Sequence, residues 1–133
     1  MEAFFSTYTG KDESAAEQFR RISEILGGFN MRFTAPTLLN SWVNYWSGFA
    51  DAGYSKDPFG GVHLRGRIKS GTATPGTTLF TLPVGFRPRK DLSFPTISNA
   101  LLAYFDVKSN GDVVIRVGST TWFTLVGYFL ADG

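Results

Sequence analysis

The spacing of apolar residues changes once along this chain of 133 residues, near Gly28. Before Gly28 apolar residues recur every three or four positions, whereas after it they alternate with polar ones, as in strands with one buried face. The alternating part predicts eight short strands: Leu39–Tyr45, Gly53–Lys56, Val62–Ser70, Thr78–Leu82, Leu92–Ile97, Leu101–Val107, Val113–Val117 and Thr121–Leu130. Short strands at this spacing after one helix are typical of an antiparallel β-sandwich or jelly roll.

The length suits a single domain, with residues 1–28 as an N-terminal arm and helix and residues 29–133 as the sandwich. The helix is predicted at Glu13–Leu26, before the glycine pair that ends it. Its apolar stripe consists of Ala15, Phe19, Ile22 and Leu26. We expect this stripe to pack on the domain's own sheet, and the alternative is a short heptad seam with another helix.

Two glycine-containing segments predict hairpin turns. The segment Asp57–Gly61 should fold the preceding strand back onto the strand that starts at Val62. The segment Ser109–Asp112 contains Asn-Gly, a strong signal for a two-residue hairpin loop. A two-residue loop places Lys108 opposite Val113, which sets the register of the two strands.

The composition argues against several classes of function. Because the chain has no cysteine, disulfides, thiolate nucleophiles and iron–sulfur sites are excluded. The net charge of +2 is too small for the dense basic stripe that is typical of nucleic-acid binding. No stretch approaches the roughly 20 apolar residues of a membrane span. We therefore expect no nucleic acid, membrane, metal or other cofactor as a partner.

Few titratable groups are available for catalysis. The one histidine, His63, lies in the alternating segment Val62–Lys69, whose apolar members face the core, so His63 should face solvent rather than a catalytic triad. Paired carboxylates would suit glycan hydrolysis. The better candidates for such a pair are Asp51, Asp91 and Asp106. Since nothing in the sequence brings two of them together, we expect a protein that is not an enzyme.

Aromatic residues form 16% of the chain, and three of them lie close together as Trp42, Tyr45 and Trp46. Aromatic faces of this kind stack on the apolar faces of sugar rings. The strand period of two places Trp42 and Trp46 on one face and Tyr45 on the other. We interpret Trp42 as a core residue and Trp46 as a candidate ligand contact.

The solvent face of the predicted strand from Val62 carries a row of basic side chains. They are His63, Arg65, Arg67 and Lys69. Guanidinium groups suit the phosphodiesters of a polyanion. The alternatives are an ordinary solvated face, or a subunit interface in which the arginines pair with Asp57 or Asp91.

Four segments taken in order resemble a known family: Trp42–Tyr45, Gly53–Gly66, Leu79–Pro88 and Ser109–Asp112. They are similar to a small β domain found in tail-tip, baseplate, fibre and head-fibre proteins of phages that infect Gram-positive bacteria. The more specific motifs are Lys-Asp-Pro followed by Gly-x-Val-x-Leu-x-Gly, and Leu-Pro-x-Gly-Phe-Arg-Pro. The resemblance covers about Leu38 to Leu130 and leaves the helix outside it.

The resemblance implies a virion component of the phage tail, made in the host cytoplasm, with a sandwich fold that is often trimeric. Its implied partners are other tail or baseplate proteins and the host cell wall, through polysaccharide or teichoic acid. The resemblance carries over no catalytic residue. One departure is Gly60-Gly61, where such domains often have glycine followed by a larger polar residue. This hairpin tip therefore lacks a polar side chain that such domains often carry.

We therefore expect an attachment or host-adhesion module of the tail tip or baseplate. The alternatives are a tail-associated glycan-degrading enzyme domain and a general carbohydrate-binding module. The candidate ligand-binding residues are Trp46, Tyr54, His63, Arg65, Arg67 and Lys69. The aromatic content and the helix stripe also predict self-association as a homotrimer.

Overall fold

The structure is a computed structural model that describes residues 13–28 and 31–133. Helix α1 spans Glu13–Gly28 and belongs to a compact unit that ends at Asn30. It begins where the sequence predicts and ends on the second glycine of the predicted stop signal. No helix in these described ranges combines the length and the hydropathy needed to cross a bilayer. The strands belong to a second unit, Met31–Gly133.

Eight strands are present in the second unit, one for each predicted strand. Their bounds are β1 Val43–Asn44, β2 Gly53–Lys56, β3 Gly61–Lys69, β4 Thr77–Thr81, β5 Leu92–Ser98, β6 Leu101–Val107, β7 Asp112–Val117 and β8 Phe123–Leu130. The sheet order is β1-β3-β8-β5-β6-β7-β4, with β2 also paired to β3, and all pairs are antiparallel. The predicted fold class, mainly antiparallel β with an N-terminal helix, is confirmed.

The largest difference from the predicted strands is at β1. The prediction covered Leu39–Tyr45, but only Val43–Asn44 is extended and paired. Asn40 and Ser41 have φ values of 55° and 70°, a left-handed backbone that cannot continue a strand. The alternation of apolar and polar residues before Val43 therefore does not correspond to a strand.

The sheet curls into a half-barrel whose two ends approach one another. The amide of Leu39, just before β1, donates to the carbonyl of Leu79 in β4 over 2.8 Å. The side-chain amide of Asn40 donates to the carbonyl of Thr78 over 2.7 Å. Because β1 and β4 are opposite ends of the sheet order, these bonds join the curled sheet along a seam.

The core fills the concave side of this curl. The ring of Phe123 lies 5.9 Å from that of Phe105 and 6.3 Å from that of Trp42, measured between centroids, and all three side chains are buried. Alternation along β3 buries Val62, Leu64 and Ile68 and directs the polar residues between them outward, as predicted. The core therefore joins side chains of β3, β6 and β8 with that of Trp42 before β1.

The register predicted for the hairpin between β6 and β7 is wrong by one residue. Val107, rather than Lys108, is the partner of Val113, and the amide of Lys108 donates to the carbonyl of Asp112 over 2.8 Å. Gly111 has a φ of 97°, so the turn closes with a third loop residue in a left-handed conformation. Asn-Gly thus forms the end of a three-residue loop here instead of a two-residue loop.

Candidate functional site

The outer face of β3 carries the predicted basic side chains, and two of them lie on aromatic rings. The central carbon of the Arg65 guanidinium is 3.8 Å from the ring centroid of Phe33. That of Arg67 lies 4.0 Å from the centroid of Phe49 and 3.9 Å from that of Trp122. Cations within about 6 Å of a ring are attracted to its π face. These two guanidiniums are therefore engaged with rings of the protein itself.

Three aromatic rings meet at the turn after β1, which we call the aromatic turn, residues 45–49. The centroid of Tyr45 is 4.6 Å from that of Trp46 and 5.3 Å from that of Phe49. The amide of Phe49 donates to the carbonyl of Trp46 over 3.1 Å and closes the turn. Trp46 is 58% exposed and Phe49 is 40% exposed. The aromatic turn therefore presents ring surface to solvent next to the outer face of β3.

The predicted placement of Trp42 and Trp46 on one face is wrong, although the interpretation of Trp42 as a core residue is confirmed. Trp42 is buried, and its indole N–H donates to the carbonyl of Thr72 over 3.0 Å. Trp46 instead lies beside Tyr45 at the surface. The physical reason is that β1 ends at Asn44, so the period of two does not extend to position 46.

The structure brings together three of the six candidate ligand-binding residues. Trp46, Arg67 and Lys69 surround the ring of Tyr45, with the guanidinium of Arg67 at 5.4 Å and the ammonium of Lys69 at 5.9 Å from its centroid. Arg65 lies next along the same face of β3. Contact with a ligand is untested for each of them, so their role as binding residues stays a prediction.

His63 lies in a separate cluster at the tip of the β2–β3 hairpin. Its Nε2 is 3.0 Å from Oδ2 of Asp57, and its ring centroid is 4.6 Å from that of Tyr128. The other carboxylate oxygen of Asp57 accepts the amides of Phe59 and Gly61, each over 2.9 Å. The hydrogen bond with His63, followed by that with the Gly61 amide, holds the pKa of Asp57 below its ordinary value. His63 thus stabilises the predicted hairpin turn.

Replacing Asp57 with asparagine is expected to destabilise the protein near pH 5 and to have a smaller effect near pH 3. The lowered pKa of Asp57 means that folding favours the carboxylate. Such a group contributes stability above its unfolded pKa, about 4, and loses it as the pH falls through the lower folded pKa. Urea unfolding of both proteins at the two pH values measures the difference. An equal loss of unfolding free energy at both values would contradict this account.

Tyr54 is placed away from the aromatic turn. Its ring meets that of Phe86 edge to face, with centroids 5.1 Å apart. It lines an open cleft of about 450 Å³, together with Leu39, Pro83 and Arg87 among others. The structure therefore separates Tyr54 from Trp46 and assigns the two predicted ligand contacts to different surfaces.

Two of the three carboxylates considered for glycan hydrolysis, Asp91 and Asp106, form hydrogen bonds within the chain. Asp106 accepts the hydroxyl of Ser93 over 2.6 Å and lies 3.8 Å from Nε of Arg116. Asp91 accepts the amide of Ser109 over 2.8 Å. Among the residues that the structure describes, no group of three or more histidine, cysteine, aspartate or glutamate side chains is placed to hold a metal ion.

Sequence reasoning missed the aromatic partners of the two arginines. Phe33, Phe49 and Trp122 contact them from segments outside the predicted strand Val62–Ser70. The signal in the sequence was the row of alternating cations itself, since a cation on an exposed strand face can pack on an aromatic ring of a neighbouring segment. Which rings do so depends on the pairing of β3 with β1 and β8, which the strand pattern alone does not specify.

Comparisons with known proteins give a likeness in fold. No protein-family model and no curated protein matches the sequence. Among solved structures, the fold is similar to that of the receptor binding protein (gp15) of Listeria phage PSA, with a TM-score of 0.61 and 18% sequence identity. The similarity covers 99% of this chain and 86% of that one. At this identity the likeness establishes a shared fold with a phage receptor binding protein, and function has to be argued from the site.

Proposed function

We propose that this protein is an attachment module of a phage tail, located in the virion at the tail tip or baseplate, that binds the host cell wall without catalysing a reaction. The observation that carries the proposal is the exposed aromatic turn, held beside the basic outer face of β3. The shared fold with a phage receptor binding protein supports it. The family resemblance of the sequence points in the same direction.

The chemistry of this surface suits a cell-wall polysaccharide or teichoic acid. The exposed ring of Trp46 offers a flat apolar face for a sugar ring, with Tyr45 and Phe49 beside it. Lys69 adds a positive charge at the edge of the same cluster, which suits a phosphodiester. One surface therefore combines stacking and charge recognition.

Self-association as a homotrimer is part of the same proposal, as is contact with other tail proteins. The outer face of the sheet carries an exposed apolar patch made of Ile97, Leu102, Tyr104 and Val117. Ile97 pairs with Leu102 and Tyr104 pairs with Val117, so these side chains are neighbours across three strands. Contiguous apolar surface of this kind marks interaction sites in soluble proteins.

Replacing Trp46 with alanine is expected to weaken binding to the host wall roughly tenfold or more, because an exposed tryptophan at the centre of a contact commonly carries on the order of 2 kcal/mol. Co-sedimentation with purified walls from a panel of Gram-positive bacteria, Listeria included, measures the dissociation constant. Phe59→Ala is the matched control, since Phe59 is an exposed aromatic residue at the tip of the β2–β3 hairpin. Binding of the Trp46 variant within twofold of the wild type would contradict the proposed site.

The same incubations separate attachment from the enzyme alternative. An attachment module leaves the wall intact, whereas a glycan-degrading domain releases soluble reducing sugars. Sugar release that disappears on replacing Asp51, Asp91 or Asp106 with asparagine would favour the enzyme. Retention of the protein on the walls, with no release of soluble sugar from any of them, supports the attachment module.

A further inference from the structure

We propose that Arg67 is a positioning residue that holds the aromatic turn in its binding geometry, rather than a cation that contacts the ligand. The sequence pattern grouped Arg67 with three other basic residues as an anion-binding row. Its surroundings give it a different role. The effect on ligand binding rests on the proposed function, whereas the effect on the turn does not.

The backbone of Arg67 holds both sides of the aromatic turn. Its carbonyl accepts the amide of Tyr45, the first residue of the turn, over 2.8 Å. Its amide donates to the carbonyl of Ala50, the first residue after the turn, over 3.1 Å. One residue of β3 therefore closes the loop from which Trp46 projects.

The side chain of Arg67 also contacts the aromatic turn, on the outer face of the sheet. Its guanidinium is within 4.0 Å of the centroids of Phe49 and Trp122, so rings from the turn and from the segment before β8 both pack on it. A planar guanidinium can stack on rings in this way, whereas a lysine ammonium is a compact, strongly hydrated point charge. No described carboxylate lies within ion-pairing distance of Arg67. The guanidinium therefore interacts with these rings and not with a described carboxylate.

Arg65 provides a matched comparison on the same face of the same strand. Its guanidinium packs on the ring of Phe33, which lies outside the aromatic turn. Both residues carry the same charge, and both would contribute to an anion-binding row. Only Arg67 contacts the turn, so replacing each with lysine separates positioning from charge.

We expect Arg67→Lys to displace the Trp46 ring and to weaken wall binding about fivefold or more, although the charge is kept. Arg65→Lys should leave the Trp46 ring in place and wall binding within twofold of the wild type. Fluorine NMR of protein labelled with 5-fluorotryptophan gives one signal for each of the three tryptophans. Assignment by single Trp→Phe variants identifies the signal of Trp46, and thermal unfolding monitors the global fold of every variant.

A Trp46 signal that is unchanged in Arg67→Lys would overturn the positioning role, whatever happens to binding. Should Arg67→Lys fail to fold, Trp122→Leu tests the same anchor at a partly exposed position, by removing a ring on which the guanidinium lies and which is outside the aromatic turn. That variant should also move the Trp46 signal, and an unchanged signal would again overturn the proposal. If the signal moves but no wall is bound even by the wild type, the positioning role stands and the proposed function fails.

Discussion

Replacing Phe123 with alanine is expected to destabilise the protein by about 3–5 kcal/mol, the usual range for removing a buried phenylalanine ring. The ring of Phe123 is fully buried and lies between Trp42 and Phe105. Its loss would leave a cavity between the segment before β1 and strand β6. Because small domains are stable by about 5–15 kcal/mol, this loss is a large part of the total.

Urea unfolding followed by far-ultraviolet circular dichroism measures the change in unfolding free energy. The control is Phe59→Ala, the same chemical change at a ring that is 74% exposed, where a change within about 0.5 kcal/mol is expected. Similar losses in the two variants would mean that burial of Phe123 is not what stabilises the fold.

Replacing Gly66 with alanine is expected to destabilise the protein by about 2–6 kcal/mol, which combines backbone strain with steric overlap. Gly66 lies in β3 with a φ of 126°, a conformation that residues with a side chain rarely adopt. A Cβ atom at this position would fall 2.5 Å from the Cα of Ala52 and 2.7 Å from the carbonyl oxygen of Asp51. These are backbone atoms and cannot rotate away as a side chain could.

Gly60→Ala separates strain from overlap in this experiment. Gly60 also has a positive φ, 87°, but a Cβ atom there meets nothing within 4 Å. Strain alone should cost about 1–2 kcal/mol. Unfolding free energies that are equal for the two variants would show that contact with Ala52 has no energetic role. We also expect Gly66→Ala to weaken wall binding, because it displaces the chain just after the aromatic turn.

The strands and their buried faces were predictable because local alternation determines which side chains share a face. In β3 the apolar residues Val62, Leu64 and Ile68 alternate with charged ones, and no other arrangement of this segment buries all three. The family resemblance, rather than periodicity, supplied the expectation of a phage attachment protein. The fold therefore followed from pattern, while the expectation about its biological setting came from motif similarity.

The geometry of the candidate site was less predictable because it depends on contacts distant in sequence. Arg67 meets Phe49 and Trp122 only after β3 has paired with β1 on one side and β8 on the other. Trp46 was misplaced because its orientation depends on where β1 ends, at Asn44, and the hydropathy of the segment does not mark that end. The length of the β6–β7 turn was also not predictable, since Asn-Gly suits loops of either two or three residues.

The seam that joins the two ends of the sheet has a consequence for how the protein behaves at high local concentration. An open outermost strand offers unpaired backbone groups to any neighbouring copy and can template fibril growth. Here the carbonyls of Thr78 and Leu79 on β4 are already bonded to the segment before β1. The chain therefore occupies part of the outer edge of β4 itself, which leaves fewer unpaired backbone groups on that strand for a neighbouring copy.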